Sequence, residues 1–129
     1  MTTSRRGLMD SSVVHVAFAF LAMGGWAAFA NRAHPTPTWL QAGLIQGALS
    51  AAITLLLKRA IERLADWFEG PVGLVAPPLV ALIVSACALT TLHALGSTPE
   101  IARTIALPLT VSTSYAALYN LALWRAKRA

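Results

Sequence analysis

The feature that most constrains this chain is an uncharged, apolar run from Trp39 to Leu57. A helix needs about 20 apolar residues to cross the hydrocarbon core of a bilayer, and this run has that length. The chain as a whole is 57% hydrophobic and 12% charged, whereas soluble domains carry about 25% charged residues. The sequence therefore predicts an all-α integral membrane protein whose apolar surface is solvated by lipid.

Two kinds of residue repeat at every fourth position along this run, so each kind forms a stripe on one side of a helix. Small residues let a second helix approach closely in lipid. We predict helix packing for this stripe and for a glycine in the first apolar segment: Gly43, Gly47, Ala51 and Gly24. The neighbouring stripe is polar and must face protein or water, because lipid offers it no hydrogen bonds. Its members are Gln46, Ser50, Thr54 and Lys58.

Four apolar segments predict a single transmembrane domain, a four-helix bundle that covers residues 1–129. The predicted spans are approximately 13–31, 39–57, 74–95 and 101–124. Residues 58–69 continue the second span as a charged segment whose apolar residues share one helical face. We predict that this segment is an amphipathic extension lying at the membrane surface.

The first apolar segment leaves two interpretations open. Ser4–Arg6 and Ala28–Ala30 are typical of an export signal with a small-residue cleavage site. The length of the segment is equally typical of a transmembrane helix. We favour the helix, because three more spans follow and because Gly7–Met9 lacks the Phe-Leu pair that usually follows twin arginines.

The distribution of positive charge predicts the orientation in the membrane. Of the 10 Lys and Arg residues, only Arg32 and Arg103 fall at the first and third loops. Because cytoplasmic loops are enriched in Lys and Arg, both termini and the middle loop are predicted to be cytoplasmic. We expect a multi-pass protein of the cell inner (plasma) membrane. The net charge of +5 then reflects topology and contact with anionic lipid, and we expect no nucleic-acid partner.

A shift of 62 residues aligns the first predicted hairpin with the second. Thr36–Pro37 falls on Thr98–Pro99, and Ser50 falls on Ser112. The match predicts two tandem helical hairpins of the same orientation, as in transporters that bind substrate between parallel repeats. The shared architecture of any two membrane hairpins is the alternative explanation.

The acidic and nucleophilic residues do not form a pattern typical of catalysis. All five Asp and Glu residues lie outside the predicted spans, so no intramembrane carboxylate is available for proton-coupled antiport. Ser85 and Ser112 have no evident base beside them. The three histidines, His15, His34 and His93, lack metal-ligand spacing. We therefore predict no enzyme activity, no cofactor and no metal site.

Polar residues of the second and fourth spans, with bases at the cytoplasmic end, form the predicted substrate-binding set. Its members are Gln46, Ser50, Thr54, Lys58, Arg59, Ser112, Tyr115 and Asn120. The alternative interpretation is that these side chains join one helix to another and only hold the bundle together, at about 1 kcal/mol per hydrogen bond.

The segment Ser112–Lys127, STSYAALYNLALWRAK, resembles the end of the GtrA-like family. Chain length, four spans and a basic end after the last span are also similar to that family. The resemblance implies a small four-helix membrane protein that helps to move polyprenyl-phosphate-linked sugars. The family's usual Asn-Arg followed by an aromatic residue, Val and Phe is missing here, so the resemblance assigns no functional residue.

Two hypotheses for the function follow. The first is a small transporter or flippase for a lipid-linked or anionic-headgroup substrate, with membrane lipid as its partner and a homodimer through Gly43 and Gly47. The second is a structural or accessory subunit that docks its small-residue stripe onto a larger membrane protein. In the second case the polar residues serve only to join helices. A channel is not favoured, because selectivity would need charge rings or a filter sequence.

Overall fold

A computed structural model describes the backbone of residues 2–129 and the side chains of residues 12–129. The described chain folds into four helices and contains no strand. The helices are α1 (Thr2–Ala30), α2 (Thr36–Trp67), α3 (Val72–Leu95) and α4 (Ile101–Arg128). The prediction of an all-α, four-helix architecture is confirmed.

Three of these helices are long and apolar enough to cross a membrane. They are the part of α1 from Ser12 to Ala30, the whole of α2 and the whole of α3. Within the described residues α4 does not belong to this group, and it carries Arg103 near its start and three bases in its last turn. The fold is therefore compatible with a membrane protein, and the crossing by α4 stays a prediction.

Apolar and polar residues occupy the reverse of their places in a soluble domain. Large apolar side chains cover the outside, where Phe18 is 70% exposed, Leu21 72% and Leu118 69%. Polar side chains fill much of the interior. The buried ones are Asn31, Gln46, Ser50, His93, Thr98, Thr104 and Asn120. Exposed apolar surface is stable in lipid and buried polar groups need protein partners, so this pattern fits a membrane environment.

The second helix is the centre of the bundle, because it packs against each of the other three. It continues without a break past Lys58 and ends at Trp67, so the predicted extension is helical. Ile61 in this extension is fully buried, in a small apolar core with Leu57 and with Ala116 of α4. The apolar face of the extension therefore packs inside the protein, and its contact with the membrane surface stays a prediction.

Glycines let α1 and α2 pack with their backbones almost in contact. A Cβ atom added at Gly24 would lie 2.8 Å from the carbonyl oxygen of Gly43, and one added at Gly47 would lie 3.0 Å from that of Phe20. At these distances a side chain at either glycine would require the facing backbone to shift, so the glycines permit the close packing. Ala51, the next member of the stripe, is half-buried. The stripe that we assigned to a homodimer or a larger partner is thus covered by α1 of the same chain.

The four helices give the molecule two distinct ends. At the hairpin end lie the α1–α2 connection, residues 31–35, and the α3–α4 connection, residues 96–100. At the terminal end lie the α2–α3 connection, residues 68–71, and the end of α4. Gly70 in the latter connection has a φ of 64°, in the left-handed region that glycine adopts without strain.

Candidate functional site

A buried asparagine joins α1 to α4 at the hairpin end. Asn31 Nδ2 donates hydrogen bonds to the carbonyl oxygen of Ala27 at 2.8 Å and to Thr104 Oγ1 at 2.7 Å. Its Oδ1 accepts a bond of 3.0 Å from the backbone N–H of Glu100, one of the free donors at the start of α4. Each polar atom of this side chain therefore has a partner within the chain.

A buried histidine joins α3 to α2 at the same end. His93 Nδ1 lies 2.8 Å from Thr98 Oγ1, and His93 Nε2 lies 2.9 Å from Gln46 Oε1. The amide oxygen of Gln46 can only accept, which assigns the ring proton to Nε2. Gln46 Nε2 in turn donates to Ser50 Oγ at 2.8 Å. A single directed chain of hydrogen bonds thus runs from the α3–α4 connection into the middle of α2.

Two further members of the predicted substrate-binding set bond to their own helix. Thr54 Oγ1 donates to the carbonyl oxygen of Ser50 at 2.8 Å. Ser112 Oγ donates to the carbonyl oxygen of Leu109 at 3.3 Å. Hydroxyls in apolar helices commonly bond back to the preceding turn, so these two contacts need no substrate to explain them.

The remaining predicted residues lie apart from this hairpin-end network. Tyr115 is 43% exposed and stacks on Tyr119, with ring centroids 5.8 Å apart. Tyr119 donates a bond of 2.5 Å to Glu62, which joins α4 to α2. Lys58 and Arg59 are exposed. The eight predicted residues therefore do not form one continuous lining.

A cavity of about 430 Å³ opens at the terminal end, and we call it the terminal cavity. It lies between the end of α2, the start of α3 and the last turns of α4. It is lined by Ala65, Asp66, Phe68, Glu69, Gly70, Gly73, Asn120, Trp124, Lys127 and Arg128. Its volume falls within the range of about 300–1,000 Å³ that is usual for small-ligand sites.

Asn120 is the deepest polar residue of this lining, with no exposed surface. Its Nδ2 donates to the carbonyl oxygens of Gly73 at 3.0 Å and Leu74 at 2.9 Å. In a regular helix those carbonyls would accept from residues 77 and 78. Both positions are proline, which has no N–H, so Asn120 supplies the donors that Pro77 and Pro78 lack.

This arrangement leaves one atom of Asn120 without a partner. The two carbonyl acceptors determine which end of the amide carries the nitrogen, so the other end is Oδ1. Asn120 Oδ1 is buried and has no hydrogen-bond partner. A buried unpaired acceptor costs about 1–3 kcal/mol, which makes this oxygen an exception in need of a reason.

The charged lining residues come from both α2 and α4. Lys127 Nζ donates to the carbonyl oxygen of Ala65 at 2.7 Å and lies 3.4 Å from Asp66 Oδ1. Ala65 O is one of the free acceptors at the end of α2, where a cation is favourable. Arg128 stacks on the Trp124 ring, 4.0 Å from its centroid. These contacts hold the last turn of α4 against the end of α2.

The geometry identifies residues that periodicity alone does not single out. Asn31 and His93 are 62 positions apart, which is the shift of the predicted repeat. Each ends the first helix of a hairpin and bonds to the second helix of the other hairpin. Applying the repeat shift of 62 residues to every polar residue of the sequence would have paired Asn31 with His93. Lys127 and Arg128 line the terminal cavity, whereas Lys58 and Arg59, which we predicted to bind substrate, are not among its lining residues.

These features define the class of protein. It is an all-α, four-helix protein with three helices able to cross a membrane, and within residues 12–129 no group of three metal-ligating side chains occurs. Comparison with protein-family models, with curated proteins and with solved structures gives no match for the chain. The resemblance to the GtrA-like family is thus neither supported nor contradicted, and it stays a prediction.

Proposed function

We propose that this chain crosses the inner membrane four times, with both termini in the cytoplasm, and acts as a small transport or flippase-type protein. Its substrate is a lipid-linked molecule whose headgroup carries an anionic phosphate. The observation that carries the proposal is the terminal cavity, whose lining contains the two bases Lys127 and Arg128. A phosphate is bound by positive charge and N–H donors, and these two side chains carry both.

The charge around the cavity also supports this substrate class. The end of α4 carries three bases in its last turn, and Arg63 and Arg59 are exposed on the extension of α2. Each Lys or Arg near an anionic membrane surface contributes about 1 kcal/mol of attraction. The terminal end would therefore gather anionic headgroups from the cytoplasmic leaflet before one enters the cavity.

The difference between the two ends supports a transport role over simple lipid adhesion. At the hairpin end, Asn31, His93 and Gln46 hold the helices together through hydrogen bonds within the chain. The terminal end is open at the cavity. In an alternating-access cycle the substrate site is open on one side and closed on the other, and a cavity at one end with hydrogen-bonded helices at the other fits one such state.

Native mass spectrometry of the protein in mild detergent, with identification of the retained lipids, tests the proposal. We expect retention of a phosphate-bearing lipid, lost when Lys127→Gln and Arg128→Gln are combined. The matched control combines Arg32→Gln with Arg103→Gln, which removes the same charge at the opposite end. Retention that is unchanged in the first variant, or reduced equally in both, would contradict the proposal. Recovery of a polyprenyl phosphate would assign the lipid class.

An accessory subunit of a larger membrane complex is the second candidate. It is favoured by one observation, that Gln46, Ser50, Thr54 and Ser112 all have hydrogen-bond partners within the chain. Side chains with this arrangement join helices and need no substrate. Purification of the protein with one stoichiometric larger partner and no specific lipid would favour this candidate over transport.

A further inference from the structure

We infer that the terminal cavity binds a zwitterionic headgroup in which a primary ammonium accompanies the phosphate, as in phosphoethanolamine. The inference rests on the proposed function, because it specifies the headgroup that the same cavity would take. Three observations carry it: the unpaired oxygen of Asn120, the balance of charge in the lining and the free carboxylate of Glu69.

The unpaired oxygen of Asn120 can be satisfied by a hydrogen-bond donor on the ligand. Asn120 Oδ1 can only accept a hydrogen bond, and no donor of the described chain reaches it. An ionised phosphate diester carries acceptors alone, so a phosphate by itself would leave this oxygen unpaired. A primary ammonium offers three N–H donors and would pair with it.

The charges that line the cavity favour the same ligand. The lining contains two carboxylates and two bases, which are Asp66, Glu69, Lys127 and Arg128. A site for a purely anionic headgroup would gain nothing from the carboxylates, which would repel it. A zwitterion with separate positive and negative groups matches a lining that carries both signs.

Of the two lining carboxylates, Asp66 has an ion-pair partner and Glu69 has none among the described side chains. Lys127 lies 3.4 Å from Asp66 Oδ1, whereas no hydrogen bond or ion pair occupies Glu69 within residues 12–129. Glu69 precedes Gly70, which has a left-handed φ of 64° and also lines the cavity. We assign the ammonium to Glu69 and Asn120, and the phosphate to Lys127 and Arg128.

Competitive retention of defined lipids tests this assignment. The protein is presented with equal amounts of phosphatidylethanolamine, phosphatidylcholine and phosphatidylglycerol that share the same acyl chains, and the bound lipid is counted by native mass spectrometry. Phosphatidylcholine keeps the positive charge but has no N–H donor, and phosphatidylglycerol lacks the positive charge. We expect phosphatidylethanolamine to be retained about tenfold to a hundredfold over each, the effect of a hydrogen bond to a charged group.

Two variants locate the recognition. Glu69→Gln removes an exposed charge without disturbing a contact, and we expect it to abolish most of the preference for phosphatidylethanolamine over phosphatidylglycerol. Glu100→Gln makes the same change at the hairpin end and should leave the preference intact. An unaltered preference in Glu69→Gln, or equal losses in both variants, would overturn the assignment of the ammonium.

The outcomes separate this inference from the proposal on which it rests. Stronger retention of phosphatidylglycerol than of phosphatidylethanolamine would contradict the assignment of a zwitterionic headgroup. It would still support the proposal of a phosphate-bearing headgroup. Equal retention of phosphatidylethanolamine and phosphatidylcholine would contradict the hydrogen bond from the ammonium to Asn120 Oδ1. Failure to retain any of the three lipids would count against both. Equimolar soluble glycerophosphoethanolamine carries the same headgroup without acyl chains. If phosphatidylethanolamine stays bound in its presence, the ligand is a lipid. If the soluble compound displaces phosphatidylethanolamine, the assignment of a lipid ligand is contradicted.

Discussion

The hairpin end and the terminal end both contain a buried amide, yet the two amides differ in what they leave unpaired. At the hairpin end, Asn31 has partners for its nitrogen and its oxygen, all within the chain. At the terminal end, Asn120 pairs its nitrogen with two carbonyls and leaves its oxygen without a donor. A fully paired buried amide joins helices, whereas a half-paired one beside a cavity is suited to bind a ligand.

The energies support this distinction. A hydrogen bond between helices in a membrane contributes about 0.6–2 kcal/mol, and an unpaired buried acceptor costs about 1–3 kcal/mol. Asn120 therefore stabilises the fold through the hydrogen bonds of Nδ2, and the unpaired Oδ1 offsets much of that stabilisation. A ligand that donates a hydrogen bond to Oδ1 would recover this energy on binding, so an unpaired buried acceptor can add to affinity.

The largest effect is expected from Asn120→Leu. The change leaves the carbonyls of Gly73 and Leu74 without donors, so we expect a loss of about 2–4 kcal/mol in the free energy of unfolding. Denaturant titration of the detergent-solubilised protein, followed by circular dichroism, measures it. In a background with Pro77→Ala and Pro78→Ala the helix supplies its own N–H donors. The same substitution should then cost at least about 1 kcal/mol less, and an identical cost in both backgrounds would refute the role of the prolines.

A smaller loss is expected from His93→Leu. This change leaves Gln46 Oε1 and the Thr98 hydroxyl without their partner, so the free energy of unfolding should fall by about 1–3 kcal/mol. The double variant His93→Leu with Gln46→Leu should lose less free energy of unfolding than the sum of the two single variants, because it removes both partners of the bond. Thr110→Val, which removes a hydroxyl bonded to its own helix, is the control and should be close to neutral. Strict additivity would show that the histidine and the glutamine act independently.

A local effect is expected from Asn31→Leu. Thr104 keeps its bond to the Glu100 carbonyl, so only the contacts of the Asn31 amide with Ala27, Thr104 and Glu100 are lost, at about 1–2 kcal/mol. Hydrogen exchange should accelerate at the backbone N–H of Glu100, which loses its acceptor, and remain slow at the terminal end. Faster exchange at both ends would show that the two ends are not separable.

The smallest effect on stability is expected from Lys127→Met. The Lys127 side chain is 51% exposed and its ion pair with Asp66 is solvent-screened, so the free energy of unfolding should change by less than about 1 kcal/mol. Retention of phosphate-bearing lipid should fall nevertheless, because the cavity loses one of its two bases. A stability loss as large as that of His93→Leu would show that Lys127 mainly holds α4 to α2.

Sequence patterns predicted the number and approximate positions of the helices, but not which helices pack against each other. Apolar run lengths predicted the four helices, because a long apolar segment pairs its own backbone groups most completely as a helix. The small-residue spacing placed Gly43 and Gly47 on one side of α2, but periodicity shows only which residues share a face. It does not show that α1 covers this face, so the surface was assigned to a second molecule.

The polar contacts were beyond the reach of local patterns for a related reason. Gln46 and His93 are 47 positions apart, and Asn120 is nearly as far from Gly73. Their pairing depends on the rotation and depth of separate helices, which the sequence does not state directly. The paired prolines Pro77 and Pro78 were the one available signal, since two missing N–H groups require two donors from elsewhere.

Under the proposed membrane crossing, the length of α2 would make the position of the terminal cavity depend on bilayer thickness. Its 32 residues extend about 48 Å at 1.5 Å per residue, whereas the hydrocarbon core measures about 30 Å. The apolar run Trp39–Leu57 by itself matches that core, so in a bilayer the charged extension of α2 would project beyond the lipid tails. Because Ala65 and Asp66 lie at that end, a thicker membrane would draw the cavity into the headgroup layer and a thinner one would expose it to water. Membrane thickness would then tune access to the cavity without any change in the protein's own contacts.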